Sequence, residues 1–168
     1  MTTESSPVLD VAIIGCGIVG VQVALGLIKR GIHVTLYEQA SELREIGAGL
    51  GFMRPARECM KELDDRIVEV LDRIGLLSEN PPQWMDGIGQ EDVRLRPKDQ
   101  LYDMELVIPN LDIRLCHRAE LLSELVKLLP PGILRFGKRL EGLNQETSDG
   151  RVQMTFSDGQ KIDVDAGT

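Results

Sequence analysis

The chain has 168 residues, a formal net charge of −8 and 42% apolar residues, which is enough material for one sizeable buried core. The acidic balance argues against nucleic acid or an anionic membrane surface as partner, since neither attracts a negative field. Cys16, Cys59 and Cys116 are odd in number and widely spaced, with only His33 and His117 beside them, so neither a disulfide framework nor a metal centre is expected.

Residues 1–7 are polar, lack basic residues and read as a flexible tail without a signal pattern. Asp10 to Ala24 then runs from an apolar strand into Gly15-Cys16-Gly17-Ile18-Val19-Gly20. Its physics suits a dinucleotide: a tight turn at Gly15, a side-chain-free Gly17 where backbone meets pyrophosphate, and Gly20 where the helix lies close on the sheet. The helix start adds unpaired N–H groups and the positive end of its dipole. Lys29, Arg30 and Gly31 end the helix, and His33 to Glu38 reads as a second parallel strand. Glu38 falls at that strand's carboxyl end, where an acid accepts hydrogen bonds from ribose hydroxyls.

Val11 to Ile28 approaches the length of a membrane span. Four glycines make it a poor isolated helix, and a buried parallel strand followed by a buried helix produces the same apolar run. With no span or signal in view, the default location is cytoplasmic. Cys16 reads as a small packed residue, not a redox thiol. His33 starts a strand at the end away from the ligand, and no nucleophile motif accompanies His117.

Ser41 to Gly51 carries glycines at 47, 49 and 51, which suggests extended backbone that something approaches closely. Pro55 to Leu77 shows helical spacing (Met60, Leu63, Ile67, Val70, Leu71, Ile74), broken at Asp64-Asp65 and ended near Gly75, and reads as packing. Residues 80–110 contain Pro81-Pro82 and short alternating pieces, expected as a small-strand insertion. Trp84 and Tyr102 within it receive no role.

Arg118 to Leu129 is a helix with Leu121, Leu122, Leu125 and Leu128 or Leu129 inward, ended by Pro130-Pro131-Gly132. Arg118 stands at the wrong end of it for the dipole, so it either meets a phosphate or makes a surface ion pair with Glu120 or another acid. Ile133 to Phe136 is a candidate third parallel strand. Lys138 to Asn144, Arg151 to Phe156 and Gln160 to Val164 form an antiparallel meander where a helix would be expected.

Together, Gly15-x-Gly17-x-x-Gly20, Glu38, Arg44-Glu-Ile-Gly47-Ala-Gly49, Cys116-His-Arg118-Ala-Glu-Leu-Leu and the meander turn Ser157-Asp-Gly159 resemble the FAD domain of flavoprotein aromatic monooxygenases. The likeness is to the salicylate and p-hydroxybenzoate hydroxylase class, especially its fungal phenol and polyketide hydroxylases, and it covers residues 8–166. The implied fold is α/β: a Rossmann-like FAD-binding domain over 8–168, with a parallel sheet, a βαβ start and an antiparallel meander crossover. Residues 80–110 would contribute to the substrate-facing layer.

The resemblance implies that Glu38 holds the adenosine ribose, that Arg44 and Arg118 contact the cofactor, and that backbone near Gly49 to Gly51 approaches the flavin side. It implies FAD as cofactor, NAD(P)H as electron donor, oxygen as co-substrate, and hydroxylation of a small aromatic, phenolic or polyketide substrate. No catalytic residue is assigned. The family's last parallel strand, with a Gly-Ala-Asp-Gly-like turn, and its later Gly-Asp-Ala-x-His-x-x-Pro-like segment are expected to be absent. The domain therefore reads as incomplete at its C-terminus and inactive alone, with an unpaired sheet edge open to self-association or a partner. The alternatives are a nicotinamide-dependent dehydrogenase domain and a non-catalytic nucleotide-binding or interaction remnant. The substrate itself is beyond a fold-level likeness.

Overall fold

A computed structural model describes residues 9–43, 47–77, 112–145 and 150–168. Strand β1 (Asp10–Ile14) leads into helix α1 (Ile18–Lys29), and β2 (His33–Tyr37) returns parallel to β1 with Asp10 opposite His33. The helix ends as its residues require: Lys29 lies in the last turn and Gly31 takes φ +76°. Strand β3 (Gly49–Phe52) follows, then helices α2 (Arg54–Leu63) and α3 (Asp65–Ile74) and strand β4 (Leu76–Leu77). The break expected at Asp64-Asp65 is a helix junction. Buried Asp64 caps α3 by accepting from the Arg66 N–H at 3.0 Å. The Arg66 guanidinium against it holds its carboxyl below the ordinary range.

Strand β5 (Arg114–His117) pairs antiparallel with both β3 and β4, making a second small sheet, and runs directly into α4 (Arg118–Val126). The helix is shorter than the expected 118–129, because Leu128 and Leu129 continue as tight turns with N–H bonds three residues back. Its buried face is Leu121, Leu122 and Leu125, as the spacing demands. Strand β6 (Leu134–Arg135) is the third parallel strand, beside β2. Then come β7 (Leu140–Asn144), β8 (Val152–Phe156) and β9 (Lys161–Val164), an antiparallel meander in that order. Gly159 turns the last hairpin at φ +81°.

The last parallel strand, expected to be absent, is present over two residues. Strand β10 (Ala166–Gly167) lies parallel to β1, with Val11 opposite Ala166 and Ala12 opposite Gly167, so the central sheet runs β10-β1-β2-β6. The Thr168 carbonyl accepts the Ile14 N–H at 2.7 Å. The meander delivers the chain straight back along β1, where open backbone groups hold it without a further crossover.

Strand periodicity distributes the core. Val11, Ile13, Val34 and Leu36 face a helical layer with Val21, Leu25, Met60, Ile67, Leu71, Leu121 and Leu125, while Ala12, Ile14 and Tyr37 face the meander with Met154, Phe156 and Val164. Both faces of β1 are covered, which is why its sequence is continuously apolar. Among the described residues, no helix is long and apolar enough to cross a membrane. The expected tail at 1–7, the whole insertion at 80–110 with Trp84 and Tyr102, and Arg44 lie outside the described residues.

Candidate cofactor site

The carboxyl ends of β1 and β2 set the site's geometry. Gly15 turns the chain at φ +103°, a conformation that strains any residue with a side chain, and its N–H binds the Tyr37 carbonyl at 2.7 Å. A Cβ at Gly20 would stand 2.1 Å from the Gly15 carbonyl oxygen, so only glycine lets α1 close on the turn. A Cβ at Gly17 would meet nothing within 4 Å, and Gly17 has the extended backbone of a helix N-cap. Its lack of a side chain therefore answers to open space in front of the helix, not to protein packing. That is the cradle a pyrophosphate needs.

Glu38 is locked in place by the backbone around it. One carboxylate oxygen accepts the Cys16 N–H and the other the Ala40 N–H, each at 2.8 Å. Two fixed donors orient the group while each oxygen keeps accepting capacity toward the cavity. A cavity of about 520 Å³ opens there, and its walls include Gly17, Glu38, Leu43, Arg118, Leu122 and Arg139. Its volume falls in the usual range for small-molecule and cofactor sites.

Arg118 reaches this wall because β5 turns directly into α4, with the Arg118 N–H bound to the Ala48 carbonyl at 2.9 Å. Its guanidinium makes no ion pair with Glu120 or with any other acid among the described residues. Cys16 is buried beneath Glu38; burial first, and the neighbouring carboxylate second, push its thiol up to about 11. It therefore stays protonated near neutrality and behaves as packing. Among the described residues no cluster could hold a metal ion.

The structure thus brings Gly17, Glu38 and Arg118 to one cavity, with Gly15 and Gly20 shaping the turn behind it. Gly49 and Gly51 belong elsewhere: they lie on β3 and line a separate cavity of about 370 Å³ with His117 and Glu120. A Cβ at Gly51 would crowd Ile113 and Leu115 at 3.1 and 3.3 Å, so sheet packing by itself asks for glycine there. At Gly49 the Cβ position is open. His33, with Nδ1 2.7 Å from Asp10 Oδ1, begins β2 at the opposite end of the sheet.

Sequence reasoning missed Arg139 and, after Glu38, Gln39, Ala40, Glu42 and Leu43 as parts of the wall. One signal was available. Residues just beyond the carboxyl end of a parallel strand build the ligand crevice, and Arg139 follows the third parallel strand by four residues.

A family model for FAD-dependent oxidoreductases matches residues 10–131. Over 94% of its length the chain is 39% identical to a salicylate hydroxylase of Sarocladium schorii, covering 34% of that protein. Over 98% it is 38% identical to an FAD-dependent monooxygenase of Monascus ruber, covering 37% of it. Among solved structures, the 2,6-dihydroxypyridine-3-hydroxylase of Arthrobacter nicotinovorans superposes with a TM-score of 0.71 at 26% identity, over 97% of this chain and 37% of that one. The chain spans about a third of the length of the curated relatives it matches.

Proposed function

The chain belongs to the FAD-dependent oxidoreductase family, and from that premise we propose that it forms the FAD-binding front of an aromatic monooxygenase that uses NAD(P)H and oxygen to hydroxylate a phenolic or polyketide-derived ring. The observation that carries this is the pairing of an oriented acid with an open glycine cradle: Glu38 pinned by the Cys16 and Ala40 N–H groups, beside Gly17 with nothing in front of it. The hydroxylase names of relatives that align along nearly the whole chain support the reaction class.

FAD, when bound, supplies the two-electron and oxygen chemistry that side chains lack. The protein's part is binding and orientation. Gly17 and the start of α1 receive the pyrophosphate, with backbone N–H groups and the dipole end as donors. Glu38 accepts from the ribose hydroxyls, and its two backbone anchors keep it from turning away. Arg118 brings positive charge to the same cavity. Gly49, with open space beside it, lets β3 approach the flavin half. We assign no side chain a proton-transfer role.

The experiment is an absorbance spectrum after incubation with excess FAD and removal of free flavin. A retained flavin band near one per chain is the expected result. A colourless, folded protein would sink the assignment of this cavity to FAD. Retention of NAD(H) instead would favour the dehydrogenase alternative.

A further inference from the structure

Glu38 is fixed by its main chain as well as by its carboxylate. Its N–H donates to the Arg135 carbonyl and its carbonyl accepts the Lys138 N–H, each at 2.8 Å. The Gly137 N–H donates to the Ala40 carbonyl at 2.9 Å, and Ala40 supplies one of the two N–H groups that orient the Glu38 carboxylate. The segment after β6 therefore grips both the acid and one of its donors. Whatever fixes residues 137–139 also fixes the direction in which Glu38 points.

The meander does this at two places. The Arg139 carbonyl accepts the Ser157 N–H at 2.9 Å, and Lys138 Nζ pairs with Asp158 Oδ2 in the hairpin turn between β8 and β9. The other Asp158 oxygen accepts the Gln160 N–H at 3.0 Å, so the carboxylate is oriented by its own turn. The ammonium first, and the Gln160 N–H second, hold that carboxyl below its ordinary range, which keeps it charged near neutrality. The Lys138 side chain is only 20% exposed, and a cation covered to that degree needs a counter-charge. Neither Lys138 nor Asp158 lines the cavity. Any influence they have on a ligand must pass through the main chain of Lys138 to Glu38.

We propose that the Lys138–Asp158 pair is a positioning device for the cofactor acid, by which the hairpin turn of the meander holds Glu38 ready for the ribose. This rests on the FAD assignment above. The rival is an ordinary surface ion pair that serves stability alone, and the two differ in whether the pair's effect on binding depends on Glu38.

The test titrates FAD against the unmodified chain, Asp158→Asn, Lys138→Met, Lys138→Arg, Glu38→Gln and the double variant Glu38→Gln/Asp158→Asn, with the melting temperature of each recorded. Asp158→Asn is expected to weaken FAD by about fivefold, the upper end for a partly exposed pair. Lys138→Met should do the same, which guards against one variant that folds poorly. Lys138→Arg should restore most of the affinity, because it keeps the charge and the reach. Once Glu38 is Gln, adding Asp158→Asn should cost little more, since the pair acts through the acid that is already lost. Losses that simply multiply in the double variant would show an independent, structural pair and overturn the proposal. So would unchanged FAD affinity in both Asp158→Asn and Lys138→Met, or Lys138→Arg binding as weakly as Lys138→Met. If the unmodified chain binds no FAD, the parent assignment fails and takes this one with it. If it binds FAD and the single variants bind equally well, this one fails alone.

Discussion

The two ends of the central sheet handle charge in opposite ways. At the amino end, Asp10 accepts from His33, the Asp10 N–H donates to Asp165, and Arg151 Nε lies 3.3 Å from the Asp165 carboxylate, so opposite charges stand beside one another within the chain. At the carboxyl end, Glu38 is held only by backbone N–H groups, and the Arg118 and Arg139 guanidinium groups meet no acid among the described residues. The difference teaches where a ligand belongs. Charges that neutralise each other fasten structure, here β10 onto β1, whereas oriented charges left open toward a cavity are arranged for something outside the chain.

The largest effect should come from the glycine turn, through two neighbours with different reasons to be glycine. Gly20→Val drives a side chain into the Gly15 carbonyl and should lower stability by about 1–3 kcal/mol, with FAD binding lost. Gly17→Val has room and suitable backbone, so it should abolish FAD binding while thermal unfolding and helix content stay near normal. Equal melting losses in both variants would show that Gly17 serves packing, and would blur the contrast between the ends.

Glu38→Gln comes next. The amide keeps the size but turns one oxygen into a donor facing the Cys16 or Ala40 N–H, and it loses the charge that strengthens ribose bonds. FAD affinity should fall by roughly 1.5–3 kcal/mol, read by equilibrium titration. An unchanged dissociation constant would remove Glu38 from the site.

A smaller effect concerns alkaline pH. Cys16 in the folded chain has its thiol raised to about 11 from an ordinary value near 9. The folded state thus holds the proton more tightly than the unfolded state. Its contribution is fully present below pH 9 and lost as pH rises from 9 toward 11. Denaturant titrations of the unmodified chain and Cys16→Ala at pH 8 and 10.5 should show the unmodified chain losing more, by about 2 kcal/mol. Identical losses would mean the thiol is not buried as described.

The smallest effect is expected at the amino end. His33→Ala removes an exposed contact to Asp10, and surface pairs of this kind contribute about 0–1 kcal/mol. Stability should shift within that range and FAD binding not at all. A loss of FAD affinity there would erase the distinction between the two ends.

Most of what positions the site was legible because it is local. The strand from Asp10, the turn at Gly15, the helix stop at Gly31 and the acid at Glu38 lie within one βαβ unit, where each residue type answers a nearby backbone demand. The junction at Asp64 and the inward face of α4 were legible for the same reason. The separation of Gly49 and Gly51 from the Glu38 cavity was not, since nothing local says that β3 pairs with β5 sixty residues on. The last parallel strand was expected to be absent, and only the meander's return path sets Ala166-Gly167 beside Val11 and Ala12.

By itself, then, the sequence determined the glycine turn, the acid at the end of β2, the meander and the kinship these imply, because glycine conformations, helix caps and strand periods act over a few residues. Tertiary structure alone decided which distant side chains share the cavity. Arg118 and Arg139 are twenty-one positions apart and come from different elements, and only the order β1-β2-β6, set by packing helices on one face and the meander on the other, brings them to the wall where Glu38 stands.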